Sequence, residues 1–198
     1  MKLVLSFLFV LTQFNPISAV DPGRYVSEQN DKGRFALSVM GKVTPLLISQ
    51  HDYPGVKRAL IKMNWQFIPN ISWTGGGMTN MPVTAPSVGT PGGQSPRLEY
   101  VVNLADTGAV QVQTYLSPKL NFNDNKELRY AILVDNEAPQ LVTIHAQKTD
   151  RVWQQSVANN IRMLTTRHQL TQPGPHKLKF WLVDPAVVVQ QFVIDLGG

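Results

Sequence analysis

Four acidic side chains are the first candidates for chemistry in this sequence: Glu99, Asp135, Asp150 and Asp184. A site that hydrolyses a glycosidic bond would need two carboxylates facing each other across that bond. Their spacing in the chain does not pair them. Asp135 and Asp184 end predicted strands beside turns, and Asp150 precedes a predicted helix, where aspartate is a common turn or cap residue. Structural roles are therefore favoured, and no catalytic residue is assigned.

Histidine, cysteine and serine patterns add no chemical site. The four histidines, His51, His145, His168 and His176, are far apart and never show the i, i+4 spacing of a zinc-binding helix. The chain has no cysteine, which excludes thiolate nucleophiles, disulfides and cysteine-ligated zinc. No Gly-x-Ser-x-Gly motif is present. The sequence thus predicts no metal and no cofactor.

Aromatic side chains are the remaining candidates, because their flat apolar faces can stack on sugar rings. They are Trp65, Trp73, Trp153 and Trp181, with Tyr53, Tyr100 and Tyr115. Trp65 and Trp153 fall in register with apolar stripes, which predicts that both lie in the core.

Two tryptophans are candidates for an open surface. Trp73 lies beside a run of three glycines, and Trp181 alternates with Leu178 and Phe180 on the opposite side of a strand. These two residues are the candidate carbohydrate-binding residues. The alternative, that they too fill the core, stays open.

Composition indicates what kind of fold must position these side chains. Charged residues make up 16% of the 198 residues, and Gly and Pro contribute 14 each, which is typical of many turns and short strands. We expect one all-β domain, a jelly-roll-like β-sandwich with one short helix segment packed on it. The net charge is +5, but the Lys and Arg residues occur singly along the chain, with no basic run that would follow a phosphate backbone. Nucleic acid is therefore not an expected partner.

Alternating apolar residues predict most of the strands. Residues 97–104 and 109–116 are predicted to form the clearest hairpin, and residues 129–135 and 140–145 a second one. Further strands are expected at 60–68 and, less legibly, at 34–39 and 45–50. One segment has helical periodicity: after Asp150 as N-cap, Trp153, Val157, Ile161 and Leu164 fall on one face. A single helix or a pair of short turns is expected there, ending before Thr171.

The C-terminal stretch reads as a strand, a tight turn and a closing strand. In the strand, Leu178, Phe180 and Leu182 alternate with another set of residues, which indicates one buried face; that set is Lys177, Lys179, Trp181 and Val183. The closing run 187–194 is apolar at nearly every position, which indicates cover on both sides.

The N-terminal residues 1–19 are typical of a secretory signal peptide. Lys2 precedes a short apolar run, and Ala19 provides a small residue for cleavage. The run is too short to span a bilayer, so we expect a secreted or periplasmic protein without stable membrane insertion. The alternative is that this segment forms a first strand.

Several blocks of the chain resemble the C-terminal domain of glycoside hydrolase family 115, the xylan α-1,2-glucuronidases. The blocks are WQFIP (65–69), MPVTAP (81–86), LEY (98–100), LRYA (128–131), WQQSVANNIR (153–162) and PGPHKLKFWLVDPAVVVQQFVID (173–195). The resemblance runs in unbroken order from about residue 65 to 198. Two departures are Ala186, where the family pattern leads us to expect glycine, and residues 25–60, which match only at Tyr25-Val26-Ser27.

The resemblance implies a non-catalytic β-sandwich domain at residues 25–198 that accompanies a large multidomain enzyme. Its expected partners are plant glucuronoxylan, a family 115 catalytic domain, or both, because the family's catalytic machinery lies in other domains. One alternative is a purely structural docking or oligomerisation module for a separate catalytic polypeptide. The least favoured alternative is a small glycosidase in its own right.

Overall fold

The structure is a computed structural model that describes residues 28–29, 34–38, 42–44, 46–49, 60–71, 75–88, 91, 97–121, 127–146 and 149–196, with side chains from residue 64 onward. Its strands are β1 (Glu28–Gln29), β2 (Arg34–Ser38), β3 (Lys42–Thr44), β4 (Leu46–Ser49), β5 (Leu60–Pro69), β6 (Gly76–Met81), β7 (Arg97–Leu104), β8 (Gly108–Leu116), β9 (Arg129–Val134), β10 (Gln140–Thr143), β11 (Arg162–Leu170), β12 (Gly174–Leu182) and β13 (Val189–Asp195). The helix α1 (Asp150–Ala158) lies between β10 and β11.

The strands form two antiparallel sheets, which confirms the predicted all-β sandwich. The larger sheet has the order β1-β2-β13-β6-β5-β4, and β8 joins it by pairing with β13 on one side and β11 on the other. The smaller sheet has the order β10-β9-β12-β7-β3. Period-2 alternation along β7, β8 and β12 sends one set of side chains between the sheets.

The core between the sheets is built around Phe180. Its ring centroid lies 5.2 Å from that of Tyr130 in the same sheet and 5.1 Å from that of Phe192 in the other. Tyr100 completes the group, 5.3 Å from Phe192, and all four residues have no exposed surface. Burying aromatic rings of this size contributes about 1.5–3 kcal/mol for each one.

The prediction that residues 97–116 form a hairpin is wrong. Strand β7 pairs with β12 and β3, whereas β8 pairs with β11 and β13, so the turn at residues 105–107 passes from one sheet to the other. The alternation of apolar residues fixes which face of each strand is buried, but it does not say whether two strands lie side by side or face each other across the core. The second predicted hairpin is confirmed, because β9 and β10 pair with each other.

The C-terminal stretch also crosses between the sheets. Strand β12 lies in the smaller sheet and β13 in the larger one, and every residue from Phe180 to Gln190 is buried. The connection turns at Ala186, whose φ of 65° is in the left-handed region where glycine is favoured. Ala186 therefore occupies a glycine-like position, at the place where the resemblance led us to expect glycine.

Some predictions fall outside the described residues. They are the signal peptide at 1–19, His51, Tyr53 and Trp73. Within the described part of the chain, no helix is long and apolar enough to cross a membrane.

Candidate functional site

Trp181, one of the two predicted carbohydrate-binding residues, is buried. It is 3% exposed and clusters with Ala131, Leu133 and Val183 on the outer side of the smaller sheet, away from the main core. The expectation of an open ring is corrected, because an apolar patch of this kind is covered rather than left to solvent. Trp73, the other predicted residue, is not among the described residues.

Three of the four candidate carboxylates are engaged in ion pairs or hydrogen bonds, either with a neighbouring strand or within their own. Asp184 has no exposed surface and accepts two hydrogen bonds from Arg129, at 2.9 and 3.1 Å. Asp135 accepts from the Lys177 backbone N–H at 2.8 Å, and its other oxygen lies 2.7 Å from Nδ1 of His176. These contacts support the structural roles predicted for both aspartates.

Glu99 is held by Arg97, whose Nε lies 2.6 Å from its carboxylate. Burial alone would raise the pKa of Glu99, but the hydrogen bond and charge of Arg97, with the charges of Lys177 and Lys179, together lower it. A carboxylate with a lowered pKa stays ionised at neutral pH, so it cannot supply a proton there.

The described histidines are tied into separate local contacts. Nε2 of His145 donates to the Lys119 carbonyl at 2.7 Å, and Nδ1 of His168 lies 2.6 Å from the Glu137 carboxylate. His176 is paired with Asp135, as described above. Within the described residues, no group of three His, Asp or Glu side chains could hold a metal ion.

The helix α1 is shorter than predicted, and its N-cap lies one residue before the predicted cap. Thr149, not Asp150, is the N-cap: its side chain accepts from the Val152 backbone N–H at 3.4 Å. Asn160, with φ of 51°, ends the helix. Its backbone N–H donates a hydrogen bond to the Val157 carbonyl, and the N–H of Ile161 donates one to the Ser156 carbonyl. The prediction that the helix runs on towards Thr171 is therefore wrong, because residues 162–170 form β11.

The helix α1 leaves open space on the side that faces the sandwich. Ser156 is its only buried residue, and its hydroxyl donates to the Val152 carbonyl at 2.7 Å instead of reaching the core. Val157, predicted to lie on the core face, is 51% exposed. A helix that buries one small side chain cannot fill the volume beneath it.

Three adjoining cavities surround this helix, and we refer to them together as the α1 cleft. The central one, of about 310 Å³, is lined by Lys119, His145, Asp150, Trp153 and Arg162 among others. A second cavity, of about 690 Å³, lies beside Tyr115 and Met163 and shares Arg162 with the central one. A third, of about 490 Å³, lies beside Leu120 and Val157 and shares Trp153 with the central one.

Trp153 is half-buried and lines two of these cavities, so the prediction that it lies in the core is corrected. Trp65 does pack against the core as predicted, with its ring centroid 6.4 Å from that of Phe180, although it too is half-buried. The cleft thus combines an accessible aromatic face with polar groups around it, an arrangement that suits a sugar ring.

Sequence reasoning missed the cleft, although two signals for it are present. The pair Asn159-Asn160 is a helix-ending signal, since asparagine tolerates the left-handed conformation. Ser156 falls on the inner face of the helix, where a core-packed helix would carry a large apolar residue. Together they place Trp153 on a short and loosely packed helix.

A family model described as the glycosyl hydrolase family 115 C-terminal domain matches residues 56–198 of the chain. The chain has no match among the curated proteins with which it was compared.

Among solved structures, a family GH115 4-O-methyl-α-glucuronidase with specificity for decorated arabinogalactans is similar, at a TM-score of 0.53 and 15% identity over 66% of this chain. The chain spans 16% of the length of that enzyme. Two further structures are more distant. One is an exo-β-1,3-galactanase from Phanerochaete chrysosporium, with a TM-score of 0.49 and 10% identity over 82% of this chain and 29% of that one. The other is a family 35 carbohydrate binding module from Clostridium thermocellum, with a TM-score of 0.45 and 12% identity over 78% of this chain and 98% of that one. At such identities, the first likeness shows a shared fold.

Proposed function

The chain belongs to the glycosyl hydrolase family 115 C-terminal domain family, and from this membership we propose that it is a non-catalytic ancillary domain that binds the polysaccharide of its enzyme. The proposed polysaccharide is glucuronoxylan of the plant cell wall, and the proposed partner is a family 115 α-glucuronidase catalytic domain. The observation that carries the proposal is the family match over residues 56–198.

The contacts of three of the four candidate carboxylates support a non-catalytic role. Glu99, Asp135 and Asp184 are each held by a basic side chain on a neighbouring strand or on their own. Hydrolysis of a glycoside needs one carboxylic acid that can donate a proton and a second carboxylate placed opposite it. Carboxylates whose oxygens are already bonded to Arg or His side chains are poorly placed for that work.

The α1 cleft is the proposed binding site. Trp153 offers an aromatic face to two of its cavities, and burial of such a ring against a sugar, with hydrogen bonds at its rim, is a general mode of carbohydrate recognition. The rim supplies the side chains of Asn121, Asp150 and Arg162 for hydroxyl groups. Trp181 is excluded from this role by its burial.

Affinity electrophoresis of the full chain in gels containing glucuronoxylan tests the proposal. We expect retarded migration of the wild-type chain and loss of most of the retardation in Trp153→Ala. The matched control is Phe67→Ala, which removes a ring that is 40% exposed and lines none of the three cavities. Unretarded migration of the wild-type chain at high polysaccharide concentration would refute binding, and equal losses in both variants would refute the assignment of the site.

The proposal includes export of the protein, for which residues 1–19 are the motivating segment. N-terminal sequencing of protein recovered from the medium or periplasm should begin near Val20. Recovery of an uncleaved chain from the cytoplasm would contradict export without affecting the binding proposal.

A further inference from the structure

We propose that the central cavity of the α1 cleft recognises the carboxylate of an acidic sugar and that Arg162 is the residue that binds it. This inference rests on the proposed function, because it takes the α1 cleft as the carbohydrate site. It goes further by stating which part of the polysaccharide is recognised: the carboxylated side group rather than the neutral backbone.

Arg162 differs from the other half-buried arginines of the described structure. The guanidinium of Arg129 is paired with Asp184, and that of Arg97 with Glu99. Arg162 makes one long hydrogen bond, from Nε to the Ile144 carbonyl at 3.4 Å, and its two Nη groups have no partner among the described residues. It is therefore a half-buried cation with unused donors at the wall between two cavities.

The local fold keeps Arg162 in this place. It is the first residue of β11, directly after the turn that ends α1, and its backbone is in register with Leu116 of β8. The turn itself is anchored, because the Asn160 side chain donates to the Ile71 carbonyl at 3.0 Å and the Asn160 carbonyl accepts from Gln190 at 3.1 Å. A site built on a fixed strand end holds its donors in place before the ligand arrives.

The charges around the central cavity favour an anion. Among the described residues, its lining includes two basic side chains, Lys119 and Arg162, and one acidic side chain, the exposed Asp150. Burial lowers the pKa of Lys119, because its ammonium group has lost part of its hydration. A bound carboxylate would pair with the unused donors of Arg162 and compensate its guanidinium for the water it has lost.

The shape of the two groups explains why a carboxylate, and not a hydroxyl, is the expected partner. Guanidinium presents planar paired donors that match the two oxygens of a carboxylate, and such charge-assisted pairs are stronger than neutral hydrogen bonds. Trp153 lines the same cavity and offers its face to the pyranose ring that carries the acid. A neutral sugar could offer Arg162 only hydroxyl oxygens, which carry no charge to balance the guanidinium and do not match its paired donors as a carboxylate does.

Binding of the full chain to matched polysaccharides tests this inference. The ligands are glucuronoxylan, the same glucuronoxylan after chemical reduction of its carboxyl groups, and an arabinogalactan decorated with glucuronic acid. We expect the reduced polymer to bind at least about ten-fold more weakly than the acidic one, the ratio typical of a lost charged hydrogen-bonding partner. Affinity for the acidic arabinogalactan decides whether the uronate alone suffices or the xylan backbone is also recognised.

Variants of two arginines on the same strand separate recognition from general charge. Arg162→Gln should bind acidic and reduced glucuronoxylan equally weakly, and Arg162→Lys should recover only part of the difference, since lysine lacks the planar pair of donors. Arg167→Gln is the matched control, because Arg167 is exposed on β11 and lines none of the three cavities. Unchanged thermal unfolding of each variant would show that the fold is intact.

The outcomes distinguish this inference from the proposed function. If acidic and reduced glucuronoxylan bind the wild-type chain equally well, carboxylate recognition is refuted while polysaccharide binding stands. If Arg162→Gln and Arg167→Gln lose the same affinity, the assignment to Arg162 is refuted. If no polymer binds, the proposed function itself fails, and this inference fails with it.

Discussion

The ion pair between Arg129 and Asp184 should be one of the largest single contributions to stability in this domain. Asp184 lies just beyond the end of β12 with its side chain completely buried, and it accepts both hydrogen bonds of the Arg129 fork. These hydrogen bonds, assisted by the charge of Asp184 and opposed by desolvation, raise the pKa of Arg129. The backbone adds a third link, from the Asp184 N–H to the Arg129 carbonyl at 3.1 Å.

Asp184→Asn keeps the size of the side chain but removes its charge and one acceptor. Hydrogen bonds to charged groups contribute about 1.5–3 kcal/mol each, so losing most of two would cost about 3–6 kcal/mol if nothing compensated. The Arg129 side chain is 31% exposed, however, so water can replace part of what is lost. We therefore expect the free energy of unfolding to fall by about 2–3 kcal/mol, at or just below the lower limit of about 3 kcal/mol for breaking a fully buried pair.

Equilibrium urea unfolding, followed by tryptophan fluorescence, measures this loss. Arg129→Met and the double variant Arg129→Met/Asp184→Asn complete a cycle that isolates the coupling between the two side chains. Asp106→Asn, in the exposed turn between β7 and β8, is the control and should change stability by less than about 0.5 kcal/mol. A loss for Asp184→Asn no larger than that of the control, or a coupling near zero, would refute the reasoning.

Three further predictions concern acid stability and two crowded backbone positions. The pKa of Glu99 is lowered in the folded state, so its ion pair stabilises the fold above the unfolded pKa of 4.5, and this stabilisation is lost as pH falls through the lower folded pKa. Glu99→Gln should therefore flatten the decline of the unfolding free energy below pH 4.5, as measured by urea titrations. An unchanged decline would contradict this prediction. Ala186→Val should lower the unfolding free energy by about 2 kcal/mol or more, because a β-branched residue at φ of 65° is strained. Ala186→Gly should change the unfolding free energy by less than about 1 kcal/mol, since relief of strain offsets the loss of a buried methyl group. Equal effects of the two changes would contradict the role of backbone strain. Gly77→Ala should cost about 1–3 kcal/mol, because a Cβ there would lie 2.7 Å from Val188 and 2.9 Å from the Val189 carbonyl; a wild-type melting temperature would show that β6 can move away.

Most strands and their buried faces were predictable from the sequence, although β11 was predicted as helix. Strand partners were less predictable, since of the two predicted hairpins only the pairing of β9 with β10 is confirmed. The inward residues of β12, Leu178, Phe180 and Leu182, are buried as their alternation predicts. The same alternation in β7 and β8 led to a wrong hairpin, because period-2 patterns report the buried face of one strand and carry no information about its neighbours. The short turn between them is equally compatible with a hairpin and with a crossing between sheets.

The candidate site was less predictable than the fold, because it depends on what fails to pack. Trp153 and Trp181 were each assigned by register: Trp153 to the core and Trp181 to an open face. The structure shows the reverse order of exposure. The periodicity of apolar residues along one helix or strand cannot show that a cleft lies beneath the helix or that the outer face of a sheet is covered. Both depend on segments that are distant in the sequence.

The central position of β13 has a consequence for biosynthesis. This strand follows every other described strand, yet it pairs with β2, β6 and β8 within the larger sheet. While the chain is being translated, each of those three strands lacks a neighbour until residues 189–195 have left the ribosome. The larger sheet of the nascent protein therefore cannot be completed until the end of β13 is made, and chaperones can bind the chain in that state.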